Sequence, residues 1–421
     1  MALLNKIKFL KNPFLRRVSL LVGGTAIGQF ISIISLPILT RLYSPEAFSN
    51  LAVYVSVLSL LTAVSCMRLE IAIPLPKSHK IAAALCILSI VSTILFSLLI
   101  TIIILCFPDL FRILTDNKIQ KIIWLIPLGV LAVGIYNALQ YWSTRNKKFK
   151  LISKTRITQS IGGNSIKLGS GILFNGSVIG LILGQFLSQS IGFINLGLSL
   201  IKNDWNIFKK LKLYHFKVAL KRYDKFPKYS TLEAFANIGS IQIPILIIAS
   251  YYMSSETGYL MIAMQILAIP MTLIGGAVSQ VYLADAAQYF HQGKLKQFTL
   301  RTIINLSKIS FLPLLFTALI SPFAIPYILG DEWQRTGTLI SWMVPWFFMQ
   351  FITSPISMSL HITGNQKLAF FLQIFGLTIR VGLVMFALKF DDSHIGEYYA
   401  LSGFIFYLIY QCTILSIINK K

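Results

Sequence analysis

Apolar stretches long enough to cross a lipid bilayer recur along the whole chain, and this feature limits the possible folds more than any other. The hydrocarbon core of a bilayer is about 30 Å thick and requires about 20 helical residues. Charged residues make up only 12% of the 421 residues, which is about half of their usual share in soluble domains. The sequence therefore predicts an all-α integral membrane protein. About twelve transmembrane helices are expected by this length criterion, at 17–39, 46–69, 79–106, 119–142, 155–174, 176–201, 229–253, 257–284, 303–328, 336–361, 366–388 and 395–418.

The net charge of +24 comes mainly from lysine and arginine in alternate loops. Basic loops remain on the cytoplasmic side of a membrane, so we expect both termini to be cytoplasmic. The N-terminal segment is basic and then apolar but lacks a small-residue cleavage site, which favours a retained first helix over a removed signal peptide. No basic stripe is interleaved with exposed aromatic residues on a soluble domain, so nucleic acid is not an expected partner.

A long polar loop divides the predicted helices into six and six. We therefore expect an N-terminal six-helix bundle at 1–201, a basic cytoplasmic linker at 202–228 and a C-terminal six-helix bundle at 229–421. The number of helices on each side of the linker is equal, as expected for two parallel repeats related by a pseudo-two-fold axis along the membrane normal.

A faint internal repeat supports this division. Ser44 and Glu46, which follow the first span, recur as Ser254 and Glu256 after the seventh span. At both places the serine can cap the next helix, and the glutamate can lie in its positive first turn.

Lys167 in the fifth predicted span and Arg380 in the eleventh are basic residues that lie well inside their spans, away from either end. A lysine or arginine near the membrane centre costs about 2.5–3.5 kcal/mol on insertion scales, so such residues usually face a cavity or a partner. For Lys167 the alternative is that its side chain snorkels to the outer headgroups. Because no span has an acidic residue at its middle, we interpret the pair as binding an anionic substrate, with phosphate as the natural partner. Arg41, at the outer end of the first span, joins these predicted substrate-binding residues.

Other polar residues in or near the spans have two interpretations each. Gln242 and Gln265 either line a path for hydroxyl-rich cargo or form hydrogen bonds between helices. Glu70, Glu233 and Asp285, near cytoplasmic helix ends, either couple transport to a proton or sodium gradient or pair with nearby basic residues.

The four cysteines have no metal-ligand spacing, so no metal site is predicted. We find no arrangement typical of a catalytic site and expect no cofactor beyond a coupling ion.

Five segments of the sequence carry a resemblance to a known family. Two lie in the first half of the chain, TRLYSPEAFSNLAVY at 40–54 and RLEIAIPLPKS at 68–78. Three lie in the second half, KRYDKFPKYSTLEAFANIGSIQIPIL at 221–246, GAVSQVYLADAA at 276–287 and LGDEWQRTGTLI at 329–340. Together they resemble polysaccharide-biosynthesis flippases of the Wzx type, which belong to the MATE-like (MOP) exporter superfamily.

The resemblance implies a flippase with two six-helix bundles around a central cationic cavity. Such proteins move undecaprenyl-pyrophosphate-linked oligosaccharides, including O-antigen units of lipopolysaccharide, to the outer leaflet of a bacterial inner membrane. Lys167 and Arg380 would then be cavity cations for pyrophosphate, and the Arg68–Glu70 pair would be a gating element on the cytoplasmic side. Besides membrane lipid, a polysaccharide polymerase and a chain-length regulator are expected as functional partners of a monomeric protein.

Two other functions remain open at this point. A membrane polymerase or ligase that joins glycans would need outer loops large enough to hold catalytic groups, and here every predicted outer loop is short. A small-molecule exporter on the same scaffold would be indicated if cells without the protein became sensitive to organic cations. A flippase for a peptidoglycan or teichoic-acid precursor would use the same chemistry, because these residues do not identify the glycan.

Overall fold

The computed structural model describes residues 13–107, 123–251, 255–275, 292–363 and 365–419, together with isolated residues between 278 and 290. Side chains are described from residue 23 onward. Within these ranges the chain is helical and contains no β-strand, which confirms the all-α prediction. Ser254, one member of the predicted repeat, lies outside the described residues.

The chain forms two compact units, each with its own set of helices. The first unit comprises Met1–Leu42 and Val57–Phe235, and the second comprises Tyr43–Ser56 and Ala236–Lys421. Helix α2 contributes its first part to the second unit and its remainder to the first. The predicted division at 202–228 into two six-helix bundles stays a prediction, as does the pseudo-two-fold axis.

The helices up to the long polar segment are mostly longer than the 20 residues needed for a membrane span. They are α1 (Pro13–Leu42), α2 (Pro45–Ser65), the single turn α3 (Leu69–Ala72), α4 (His79–Cys106), α5 (Leu125–Arg145), α6 (Phe149–Leu173), α7 (Val178–Lys209) and α8 (Leu213–Arg222). Alanines near the start of α4 pack with residues of α5, with Ala219 of α8 and with Tyr223 just after α8, and they form an apolar core in the first unit.

A π-helical turn at Phe226–Ser230 belongs to the first unit and leads into α9 (Thr231–Tyr251), which enters the second unit at Ala236. The other helices of the second unit are α10 (Glu256–Pro270), α11 (Leu295–Leu329), α12 (Gln334–Thr353), the single turn α13 (Ser359–Ile362), α14 (Gln366–Phe390) and α15 (Ile395–Asn419). Helices α12 and α15 pack closely in this unit, and both contribute aromatic residues to its interior.

Eleven helices in the described ranges are long and apolar enough to cross a membrane, which agrees with a multi-pass protein. The predicted fifth span, 155–174, forms as helix α6 but is not among these eleven. The physical reason is composition, because α6 carries lysine and arginine residues among glycines and serines.

Polar and small side chains explain how α6 packs. Asn164 Nδ2 donates to Ser32 Oγ on α1 at 3.3 Å, and Asn195 Nδ2 on α7 donates to Thr158 Oγ1 at 2.9 Å. Ser188 Oγ on α7 donates to a carbonyl of α6 at 2.9 Å. Hydrogen bonds and small residues of this kind are what holds helices together where lipid gives no hydrophobic driving force. Helix α6 is therefore fixed between its neighbours despite its low hydropathy.

Candidate functional site

Arg380 is enclosed by aromatic rings in the second unit. Its side chain projects from the middle of α14 and is only 1% exposed. The guanidinium carbon lies 4.5 Å from the centre of the Trp346 ring, 5.4 Å from that of Phe406 and 6.0 Å from that of Tyr407. The ring of Tyr399 lies against this site, with its centre 5.2 Å from that of Trp346. We call the arginine and these four rings the Arg380 box.

Two glycines allow the rings of the Arg380 box to approach this closely. A Cβ atom at Gly403 on α15 would lie 2.2 Å from Trp346 Cδ2 on α12. A Cβ atom at Gly376 on α14 would lie 2.6 Å from Phe406 Cε2 on α15. Gly376 precedes Arg380 by four residues, so both face the same side of α14. Side chains larger than glycine would therefore displace the rings that enclose the guanidinium.

The charge inside the box is not paired with a carboxylate of any residue that the structure describes. Arg380 Nε and Nη1 are buried and have no hydrogen-bond partner among the described residues. No described acidic residue forms an ion pair with this guanidinium. An unpaired buried charge costs several kcal/mol, whereas a desolvated cation–π contact returns about 2 kcal/mol. The box thus holds a cation with two donor atoms that could serve an anion.

Lys167 lies in the first unit, on α6. Its Nζ donates to Gln185 Oε1 on α7 at 3.0 Å, and its side chain is partly buried. A Cβ atom at Gly184 would lie 2.4 Å from Lys167 Cγ, so the absence of a side chain there makes room for the lysine stem. The structure thus ties the ammonium group to a neighbouring helix. The predicted role of Lys167 and Arg380 as a pair of cavity cations stays a prediction.

The other predicted substrate-binding residues differ in their surroundings. Gln242 Oε1 on α9 accepts a hydrogen bond from Ser56 Oγ on α2 at 2.7 Å, which agrees with the interpretation as an interhelical contact. Gln265 is partly buried on α10, and Arg41 is exposed in the last turn of α1. The surroundings of these three residues do not assign a substrate-binding role to any of them, and that role stays a prediction.

Arg68 and Glu70 form the ion pair predicted as a gating element, with Arg68 Nη1 3.8 Å from Glu70 Oε1. Glu70 is buried, and its Oε2 atom has no hydrogen-bond partner in the described part of the chain. Met67 and Arg68 have φ values of 51° and 56°, a left-handed backbone that costs a non-glycine residue about 1–2 kcal/mol. Such strain is found at switch regions, so the segment is suited to the gating role that the resemblance implies.

A residue that the sequence analysis missed holds the loop after this pair. Arg145, at the end of α5, donates from Nη1 to the carbonyls of Ile73 at 3.3 Å and Pro74 at 3.1 Å. Its Nη2 donates to the carbonyl of Lys77 at 3.4 Å. One guanidinium thereby satisfies three carbonyls of an irregular segment. In the sequence Arg145 was indistinguishable from the other basic loop residues.

The two remaining predicted coupling residues are less enclosed than Glu70. Glu233 is partly buried in the first turn of α9, where the helix dipole favours a carboxylate. Asp285 is exposed. Neither forms an ion pair among the described residues, and their role in coupling stays a prediction. No group of three or more histidine, cysteine or acidic residues that could hold a metal ion occurs within the described ranges.

Three charged residues at the starts of three helices form a cluster that sequence analysis did not find. Arg335 in the first turn of α12 binds Glu256 at the start of α10, with Nη2 2.9 Å from Oε1 and Nε 3.2 Å from Oε2. It also binds Glu397 in the first turn of α15, with Nη2 2.7 Å from Oε2. Both carboxylates are buried. We call these three residues the Arg335 cluster, and it ties α10, α12 and α15 together at one end.

Comparisons with known proteins give the family. The chain matches the model of the family described as polysaccharide biosynthesis protein over residues 38–337, which is more than half of its length. The chain belongs to the polysaccharide biosynthesis protein family. This confirms the resemblance inferred from the five segments. No curated protein matches this family member by sequence.

Solved structures similar to this family member share its fold. An inward-facing multidrug resistance MATE family transporter of the MOP superfamily matches with a TM-score of 0.64 and 14% identity, over 96% of each chain. The lipid II flippase MurJ, in an inward closed conformation, matches with a TM-score of 0.66 and 17% identity, over 93% of this chain and 87% of MurJ. A MOP superfamily transporter from Pyrococcus furiosus, described as having a binding pocket of reversed polarity, matches with a TM-score of 0.63 and 13% identity, over 96% of each chain. These proteins are two transporters and a flippase, and none of them is an enzyme. The TM-scores show that this chain has the MATE-like fold.

Proposed function

We propose that this member of the polysaccharide biosynthesis family is a flippase for undecaprenyl-pyrophosphate-linked oligosaccharides. It would move them from the cytoplasmic to the outer leaflet of a bacterial inner membrane, with both termini in the cytoplasm. The Arg380 box is the observation that carries the proposal, because it keeps a positive charge inside a helix bundle where no described acidic residue forms an ion pair with it. The family match and the shared fold with MATE transporters and MurJ support the same function.

The chemistry of the box suits reversible binding of a lipid-linked diphosphate. Hydrogen bonds from a guanidinium to phosphate oxygens are charge-assisted and contribute about 1.5–3 kcal/mol each. In the described conformation the aromatic rings stabilise the same guanidinium by about 2 kcal/mol. Since the two sets of contacts are similar in strength, exchange between them is expected to be reversible. A carrier that alternates access must both bind and release its substrate.

The aromatic rings have a second use for a glycan-bearing substrate. Tyrosine and tryptophan present flat apolar faces together with polar groups at the edge. Trp346 Nε1 is buried and has no hydrogen-bond partner among the described residues. A sugar hydroxyl or phosphate oxygen that reached the box would satisfy this donor as well as Arg380 Nε and Nη1. The polyprenyl tail would remain in lipid, which needs no polar contact.

The test uses cells deleted for this gene and complemented with wild type, Arg380→Gln, Arg380→Lys or Arg301→Gln. Arg301 is an exposed arginine on α11 and serves as the matched control. Membrane levels of each protein, surface polysaccharide and the leaflet distribution of lipid-linked oligosaccharide are measured together. We expect the deletion and Arg380→Gln to trap lipid-linked units in the inner leaflet, Arg301→Gln to restore export, and Arg380→Lys to restore it in part.

Other outcomes would identify other functions. Unpolymerised units in the outer leaflet of the deletion strain would indicate a polymerase or ligase. Unchanged glycans together with sensitivity to organic cations would indicate a small-molecule exporter. Accumulation of a peptidoglycan precursor alone would indicate that the substrate is lipid II, as for the lipid II flippase MurJ. A polymerase and a chain-length regulator would act on the exported units if the proposal is correct.

A further inference from the structure

Helix α8 lies beside the place where a membrane-spanning helix begins. Ala219 on α8 and Tyr223, directly after its last residue, are buried in the same core cluster as Ala82, Ala83 and Leu85, which lie in the first turns of α4. Helix α4 is 28 residues long, begins at His79 and is one of the eleven helices that can cross a membrane. A short helix packed across the first turns of a membrane span must lie close to the level of the lipid headgroups.

The helix before α8 leads to the same level. Helix α7 has 32 residues, or about 48 Å at 1.5 Å per residue, whereas a bilayer core is about 30 Å thick. Its last turns therefore extend beyond the hydrocarbon. Asp204 in this extension accepts hydrogen bonds from Trp142 Nε1 at 2.9 Å and from Lys148 Nζ at 2.7 Å, so the extension is fixed to the first unit. The exposed Trp205 stacks on Phe208 next to this anchor.

The face of α8 that points away from the core combines apolar and basic side chains. Leu213 is 72% exposed and Leu220 is 47% exposed. Lys217 and Lys221 are exposed too. These four residues have the spacing i, i+4, i+7 and i+8, which places them on one side of a helix. Two large apolar side chains at the water-exposed side of a small helix would be unfavourable, but the arrangement is typical of helices that lie in a membrane interface.

The charges on this face identify the kind of lipid. Lys217 and Lys221 form no ion pair among the described residues. The acidic residue closest in sequence, Asp224, is already paired with Lys228 at 2.7 Å. Unpaired lysines beside interfacial leucines attract anionic phospholipids by about 1 kcal/mol each. Exposed Tyr214 on the same helix is a residue type enriched at membrane interfaces.

We propose that α8 is an anionic-phospholipid docking helix. Leu213 and Leu220 insert at the acyl boundary, and Lys217 and Lys221 bind the phosphates of anionic headgroups. The site is independent of the Arg380 box and of the transported substrate. It would fasten the long polar connection between the two predicted bundles to the membrane surface.

The test places a fluorescent label on the full-length protein at Leu213→Cys. Cys106 and Cys412 are exposed and are replaced by serine, whereas Cys66 and Cys86 are buried and are retained. The labelled protein is reconstituted in phosphatidylcholine vesicles with increasing phosphatidylglycerol. Quenching is measured with brominated phospholipids, which act from the bilayer, and with iodide, which acts from water.

We expect strong quenching by brominated lipid, weak quenching by iodide and a spectral shift that grows with the phosphatidylglycerol content. Lys217→Gln/Lys221→Gln should lose most of the response to phosphatidylglycerol, since two basic residues near an anionic surface change lipid affinity by about tenfold or more. The control Lys294→Gln/Lys296→Gln removes two exposed charges elsewhere and should keep the response.

Two results would overturn the proposal. If iodide quenched the label as strongly as it quenches a label on free peptide, α8 would lie in water. If brominated lipid quenched it but neither phosphatidylglycerol nor the lysine pair changed the signal, the contact would be apolar only and the anionic-headgroup site would be wrong. A melting curve equal to that of wild type shows that each variant is folded, and transport assays stay interpretable because the substrate site is not altered.

Discussion

Replacement of Arg380 by methionine separates a functional role of the charge from a structural one. Methionine is unbranched and flexible, so it fills a similar volume without leaving a large cavity. The variant loses the cation–π contact with Trp346, which lies 4.5 Å away, at a cost of about 2 kcal/mol. It also removes an arginine from mid-membrane, which recovers about 2.5–3.5 kcal/mol. We therefore expect the free energy of unfolding of Arg380→Met to equal that of wild type or exceed it by about 1 kcal/mol.

The same variant is expected to lose transport. Stability is measured by denaturation of the purified protein in detergent micelles, and export by the complementation assay, with Arg301→Met as the exposed-arginine control. A protein that is at least as stable as wild type and present at normal levels, yet fails to export, shows that the arginine is kept for function. If Arg380→Met instead lowered the free energy of unfolding by more than about 2 kcal/mol, the contacts between Arg380 and the aromatic rings would stabilise the fold. The inference that the arginine is kept for transport would then be wrong.

Three further substitutions test the packing around the Arg380 box, the Arg335 cluster and Lys167. Gly403→Ala should lower the free energy of unfolding by about 1–3 kcal/mol, because its Cβ would lie 2.2 Å from Trp346. Gly382 has open space around a Cβ atom, so Gly382→Ala should be neutral or stabilising in the same thermal melts. Equal stability of the two variants would contradict the packing argument. Arg335→Gln leaves two buried carboxylates without their partner and should lower the free energy of unfolding by about 3–5 kcal/mol, measured by the same denaturation. A decrease below about 1 kcal/mol would show that the Arg335 cluster is solvated. Lys167→Arg should retain more transport than Lys167→Ala because the charge matters more than the shape, and equal loss in both would indicate a packing role.

Hydropathy and the spacing of apolar residues predicted the long helices, because each membrane span must satisfy its backbone hydrogen bonds internally. A helix also forms at the predicted fifth span, as α6, but it is not among the eleven candidate spans, because Lys167 and other basic residues lie among its glycines and serines. Boundaries were less accurate. Helix α11 begins at Leu295 and not at 303, and α7 continues to Lys209 beyond the predicted 201. Hydropathy indicates where a helix leaves lipid but not where it stops being helical.

The candidate site was predictable only in part. Arg380 stood out in the sequence because an arginine inside an apolar span is costly. The rings around it come from α12 and α15, which are distant in sequence, and aromatic residues in apolar spans are too common to indicate a box. The Arg335 cluster was missed for a similar reason. Glu256 was expected only to lie in the first turn of its own helix, and nothing in the sequence showed that three helix starts meet at one guanidinium.

The role of the Arg380 box can be tested with the purified protein. Wild type, Arg380→Gln and Arg301→Gln are reconstituted separately into vesicles that carry undecaprenyl-pyrophosphate-linked oligosaccharide, and an impermeant glycan-modifying reagent reports the lipid-linked units in each leaflet over time. We expect wild type and Arg301→Gln to equilibrate the lipid-linked units between leaflets, and Arg380→Gln to do so no faster than protein-free vesicles. Equal translocation by Arg380→Gln and wild type would contradict the role of the Arg380 box. If wild type itself translocated nothing, with or without a proton or sodium gradient, the proposed function would be contradicted.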